Sequence, residues 1–479
     1  MHPSLTSRTK DPEKHAAADA AQEYLRQVTA RVGPRGADLG KAFQFSDAGG
    51  GASSSRDRRA KSRFSDLDLQ VEDDVGRVRS PYADSGSLWS RAGDFWQLCG
   101  WAVNCSVLYP ARWERWEVFL SFMLDVLEDD LALRSSGTKD AGTNSEEETL
   151  LAQYLRPIGE GRDSKRRVMR AILADGSTKS LSEFAEVWKQ EMRPPKQNRH
   201  DDEHTAFPTT TAKRRKLDLE NGEYGDYFDE SDQDTPSTST GPTPRSRSTT
   251  SFLNLLQPNT TASPAAEESS EDELSAAQQT PQTTLTTANY GDTTSLNLRR
   301  RLLALLTTNS TVHPAAFLDT EDLFDLFTEF LRPLPLPIFA AFLSPPKPYL
   351  APSLAASLNQ MLLRPLLAAT APQYNENALS QAEFEVHYAP FPANSGGAED
   401  NAKVALLVEG LLRLLWGKGM LSHTAKLREV VETGIRARRE RVAFDGRRKV
   451  GARAVRDEEA AVVLKCSGER MLMVLAMAS

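Results

Sequence analysis

Apolar positions fall into two stretches of helical period separated by a long polar tract. In the first, Trp116, Leu120, Met123, Leu127 and Leu131 recur at the spacing that lines one face of an α-helix, and Asp125, Glu128 and Asp129 fall on the other side. Residues 85–108 are apolar nearly all round, the pattern of a helix buried on several sides. Tyr109-Pro110 separates the two, because proline disfavours helical backbone at the residue before it. The pair predicts an αα-hairpin whose core holds Trp96, Trp101, Trp116, Leu120, Met123 and Leu127. Shorter helices are predicted over 146–155, 164–173 and 180–192, the last opening on the capping box Ser180-x-x-Glu183.

In the second stretch, 320–331 is strongly amphipathic, with acids in its first turn that suit the helix dipole. Helices are also predicted over 296–306, 338–343, 353–370, 401–416 and 421–441. Residues 458–465 and 469–477 suit either a helix or two short strands, and no segment alternates long enough to predict a sheet. The expected fold class is therefore mainly α: an irregular helical bundle or α-solenoid of αα-hairpins, interrupted by a long disordered linker. The boundaries read as a largely flexible 1–75 with one short helix, a helical block 76–192, a linker 193–295, a second helical block 296–440 and a basic tail 441–479.

Composition sharpens the linker. Residues 193–295 carry 17 acidic and 9 basic side chains among many Ser, Thr and Pro, too little apolar surface to offset chain entropy. Phe252-Leu253-Asn254-Leu255-Leu256 is its one apolar island. A net charge of −8 over 479 residues makes the chain no polycation, so nucleic-acid contact would need a local basic patch. Three cysteines, Cys99, Cys105 and Cys466, form no disulfide framework and no zinc set, and Cys99 and Cys105 read as small buried hydrophobes. The first residues lack the apolar core of a secretory signal, and no apolar run is long enough to span a bilayer, so no membrane contact is expected.

Five of seven tryptophans, Trp89, Trp96, Trp101, Trp113 and Trp116, crowd one short stretch. A base-stacking surface would interleave such rings with Lys or Arg. Here only Arg91, Arg112 and Arg115 intervene, against Asp94 and Glu114, so core packing is expected, with Trp113 and Trp116 the pair most open to a ligand role. Gly100 would mark a close approach between helices.

Lys213-Arg214-Arg215-Lys216 is a compact cationic run inside the linker. It resembles a monopartite nuclear localisation signal, which implies a nuclear import receptor as partner and a nuclear location. Ser80, Thr235 and Thr243 precede proline, and Ser269 and Ser270 precede a run of acids. All five are candidate phosphosites, of a kind that also arises by chance in such sequence.

The segment 426–456 holds 11 basic and 4 acidic residues. Arg436, Arg438, Arg439, Arg441, Arg447, Arg448 and Lys449 are candidate phosphate-backbone contacts, weighed against an ordinary solvated helix end. No nucleotide-binding loop, metalloprotease motif or nucleophile elbow occurs. His200 and His204 sit in the linker, where nothing would hold them in metal geometry, so no metal and no cofactor are expected. The expected function is that of a non-catalytic nuclear scaffold or adaptor binding the proteins of a nuclear complex, in chromatin or DNA maintenance. The alternative is a nucleic-acid-binding or RNA-processing factor acting through 426–456. A third reading is an enzyme whose site converges from distant segments, with Asp94, Asn104 and Glu114 the first residues to inspect.

Overall fold

The computed structural model describes residues 1–45, 82, 86–135, 148–189, 191–192, 290–374, 376, 378–445 and 452–478. They are mostly helical and contain no strand, only an isolated bridge between Leu367 and Ala393. The segments flanking the 193–289 gap share one hydrophobic core and belong to a single compact unit.

The first half is built on α4 (Phe95–Leu108) and α5 (Pro110–Ser135), preceded by α1 (Pro12–Gly36), α2 (Leu39–Ala42) and α3 (Leu88–Arg91). The single helix expected over 85–108 is broken after α3, because Asp94 turns extended and accepts from the Gln97 backbone N–H, capping α4. α4 packs on α5, on α7 (Arg162–Ile172) and on α8 (Thr178–Glu183), and α6 (Leu150–Leu155) packs on α5. α8 departs from the expected 180–192 helix. Ser177, not Ser180, caps it, and it ends at Phe184, whose ring turns inward. Gly100 makes room for that ring: a Cβ there would lie 2.3 Å from Phe184 Cγ. The close approach is therefore a side chain against a helix rather than two helices.

Residues 1–45 differ from the flexible region expected of them. α1 lies along α5, and the Phe43 ring stacks on Trp89 with centroids 4.7 Å apart.

The second half starts at α9 (Thr293–Val312), whose N-terminus is capped by Asp292, and α9 packs on α5. Arg301 on α9 donates to Glu128 Oε1 at 2.8 Å and to Asp125 at 2.6 Å, both on α5. α10 (Thr320–Leu331), α11 (Leu336–Leu343) and α12 (Pro352–Leu363) follow. α12 stops short of the expected 370 because Arg364-Pro365-Leu366 tightens into a 3₁₀ turn. After α13 (Gln381–Glu383), which runs on into a π-turn, comes the central helix α14 (Ala398–Gly417), buried on almost every side. α11, α12, α15 (Ala425–Asp445) and α16 (Ala452–Met477) all pack against it. Of the helix and the two strands that both suited 458–477, the helix forms, and residues 452–477 of the expected basic tail are part of the bundle. Among the described residues, no helix is long and apolar enough to cross a membrane.

Candidate functional site

Two parts of the molecule could carry function on their side chains: the tryptophan cluster and a hollow surface at the end of α14. The first is closed. Glu191 is fully buried, and its carboxylate accepts from Trp101 Nε1 and Trp116 Nε1, each at 3.1 Å, and from Arg112 Nε. The rest of the Arg112 guanidinium donates to Thr6 Oγ1 and the Met1 carbonyl, each at 3.0 Å, and lies over the Trp116 and Trp188 rings. Elsewhere Trp96 donates to the Tyr154 carbonyl, Trp188 to the Gly86 carbonyl and Trp113 to Asp292. A buried charge is tolerable only when paired and hydrogen-bonded, and here the pairing is complete. Trp96, Trp101, Trp116, Leu120, Met123 and Leu127 are all buried, as is Trp113, so these side chains present no open face to a ligand among the described residues, and only Trp89 of the cluster is partly exposed.

Asp94, Asn104 and Glu114 do not converge on one site. Asp94 caps α4 and pairs with Arg167, Asn104 Oδ1 accepts from the Gly176 backbone and the Ser180 hydroxyl, and Glu114 is exposed. Cys99 and Cys105 are buried free thiols whose pKa burial pushes up. No cluster of potential metal ligands occurs among the described residues.

The basic segment is divided by the fold. Arg438, one of the candidate nucleic-acid contacts, is fully buried and donates to the Ala389 and Phe391 carbonyls, both at 3.1 Å. A guanidinium enclosed in this way cannot meet a phosphate backbone, so Arg438 is removed from that set. Its Nε and Nη2 have no acceptor among the described residues, and burial lowers its pKa from 12.5 to about 10. Arg441 is exposed but donates to the Asn394 carbonyl at 2.8 Å. Arg436 and Arg439 are exposed. Arg447, Arg448 and Lys449 lie outside the described residues, as do Lys213, Arg214, Arg215 and Lys216 and the candidate phosphosites Ser80, Thr235, Thr243, Ser269 and Ser270.

The second part is open. The end of α11, the loop Pro345-Pro346-Lys347-Pro348 and the start of α12 face the last turns of α14 across a groove of about 350 Å³. Phe342, Leu343, Tyr349, Leu350, Leu414 and Trp416 line it, and Trp416 is 42% exposed. Arg300 on α9 fixes one wall by donating to the Ala341 carbonyl at 2.6 and 2.9 Å. Gly410 lies at the floor: a Cβ there would sit 2.7 Å from Asn359 Nδ2, so a larger residue would displace that side chain.

Two further hollows flank the groove. One, of about 500 Å³ between α11, α14 and α16, shares Ser344 and Arg413 with it and is lined also by Pro337, Ala340, Val462, Val463, Cys466 and the buried Glu409. The other, smaller, shares Leu414 and Lys418 with it and reaches Leu379 and Met420. Beyond these, Val455, Val462, Met473 and Met477 are exposed on α16, at spacings of 7, 11 and 4 residues that put them on one face.

Trp416 had drawn no functional expectation. Its signal was available: a tryptophan in the last turn of an apolar helix, flanked by Arg413 and Lys418. Glu191 carried no comparable signal, because its partners lie 75 to 90 residues away.

Comparison with known proteins found no matching family model, no matching curated protein and no matching solved structure.

Proposed function

We propose that the protein is a non-catalytic nuclear scaffold or adaptor that holds partner proteins against its helical surface, within an assembly serving chromatin or DNA maintenance. The observation that carries this reading is the open apolar run along α11, α14 and α16, with Trp416 half exposed at its centre. Contiguous exposed apolar surface is costly in water and marks interaction sites. Half-exposed aromatic side chains beside cations are the residue types that dominate binding energy at protein interfaces. The nuclear part of the proposal rests on the Lys213-Arg214-Arg215-Lys216 run, and the chromatin part on the compartment alone.

The test is affinity capture of the tagged chain from nuclear extract after nuclease digestion, with the parent and Trp416→Glu compared side by side. The expected result is a set of proteins that survives digestion and is lost with the variant. A set that vanishes on digestion, and is indifferent to Trp416, would transfer the function to the basic segment. In parallel, replacing Lys213, Arg214, Arg215 and Lys216 together with Ala should move a fluorescent fusion out of the nucleus. Unchanged nuclear signal would remove the import run from the proposal.

A further inference from the structure

We infer that the groove at the end of α14 takes a short acidic peptide segment of a partner protein, bearing two or three large apolar side chains. The inference rests on the docking function proposed above and names its occupant.

Charge selects the sign. The groove lining includes Arg413 and Lys418 and no carboxylate, and Lys347 is exposed in the wall loop. Neither Lys347 nor Lys418 has an ion-pair partner among the described residues. Arg413 approaches Glu409 only at 3.8 Å, because Arg470 already holds that carboxylate at 2.6 and 2.7 Å. Two rim cations therefore stand unpaired, and the third, Arg413, shares a carboxylate that Arg470 already holds. An incoming Asp or Glu would be favoured there and an incoming Lys or Arg repelled.

Shape selects the class. The main groove and its two neighbours lie in series, with Ser344 and Arg413 lining both hollows on one side and Leu414 and Lys418 lining both on the other. A compact small molecule fills one enclosed hollow. Hollows in series suit a segment that presents apolar side chains at intervals, as an amphipathic helix laid in a groove does.

The experiment is selection of a phage-displayed random peptide library on the immobilised full-length chain. Synthetic copies of the enriched peptides are then titrated against the parent, Trp416→Glu and the double variant Arg413→Glu/Lys418→Glu. Circular dichroism confirms that each variant is folded, and the exposed double variant keeps the test valid if Trp416→Glu is not. The expected pool is net acidic, with Leu, Phe or Trp at helical spacing. Its peptides should lose at least about tenfold in affinity with Trp416→Glu, the loss typical of a central aromatic anchor. The double variant should weaken binding several-fold, and added salt should weaken parent binding in the same direction. An enriched pool that depends on Trp416 but is neutral or basic would overturn the acidic occupant and leave the docking groove standing. A pool that binds parent and Trp416→Glu alike, or no enrichment, would overturn both.

Discussion

Around Glu191, two indole N–H groups and a guanidinium share one buried carboxylate, and the Trp188 ring covers the cation. At the end of α14 a single indole stands half in water, and of the cations beside it only Arg413 reaches a carboxylate, at 3.8 Å. The same residue type serves both places, and what separates them is polar company. Where acceptors are supplied for the indoles, the rings close into a core. Where apolar area is left with exposed, unpaired or loosely paired cations at its edge, the surface is ready for something else to supply the anion. Burial and pairing together, rather than tryptophan content, distinguish the core from the candidate interface.

The sharpest way to break this comparison is to remove the shared acceptor. Glu191→Ala leaves Arg112 buried without its counter-charge and takes the acceptor from Trp101 and Trp116. The expected loss is about 3–5 kcal/mol, the usual penalty for breaking a buried pair from one side. Urea unfolding followed by circular dichroism measures it. A loss under about 1 kcal/mol would mean that water replaces the carboxylate and that the cluster is not closed.

Gly100→Ala acts on the same cluster from the packing side. Its Cβ would meet the Phe184 ring well inside contact distance, so the ring must leave its buried position. The expected cost is roughly 1–3 kcal/mol, as for other overpacked cores. Gly417→Ala, at the end of α14 with open space around it, should cost clearly less in the same unfolding experiment.

How much of this was legible in the sequence depends on whether the signal was local. The span of α10 could be read from its apolar spacing, and the burial of Trp96, Trp101 and Trp116 from the scarcity of cations among them. The 458–477 region resisted because α16 is apolar on both sides: Ala460, Leu464, Met471 and Leu475 face the core while Val462, Met473 and Met477 face water. That mixture hides a 3.6-residue period. The groove was hidden for a different reason. Its walls come from α11, α12 and α14, each of which reads alone as an ordinary core helix, and only their packing leaves Trp416 uncovered. Arg438 misled because nothing in a run of arginines marks the one that turns inward beside Gly434. There a Cβ would fall 1.8 Å from the Ala389 carbonyl oxygen, so the helix must press directly on that backbone.

Arg438 also sharpens the lesson about pairing, with a smaller effect. Arg299 is equally buried, but its guanidinium reaches Ser295 Oγ and the carbonyls of Ile172, Ala174 and Tyr290. Arg438 reaches two carbonyls and leaves Nε and Nη2 without acceptors. Burial lowers both pKa values to about 10, but only Arg299 recovers the cost through a full set of acceptors. Arg438→Met should therefore change stability by less than about 1 kcal/mol, since replacing an incompletely satisfied buried cation with an apolar chain of similar length is often neutral or better. Arg299→Met should cost distinctly more in the same titration. Equal losses would mean that the guanidinium's contacts, complete or not, do not set its contribution.

The smallest effect on stability is expected at Trp416. Trp416→Phe keeps an apolar ring at a half-exposed helix end and should alter unfolding by less than about 0.5 kcal/mol. Its spectroscopic consequence should be large by comparison. All seven tryptophans lie among the described residues; five are buried and Trp89 is stacked on Phe43, leaving Trp416 the most exposed. Trp416 should account for the acrylamide-quenchable part of the emission, and the variant should lack that part. A peptide seated in the groove should in turn protect Trp416 from quencher in the parent and change nothing in Trp416→Phe. If quenching is undiminished in the variant and in a Trp89→Phe/Trp416→Phe double variant, water reaches the buried rings, and the contrast between a closed cluster and an open groove fails at its closed end.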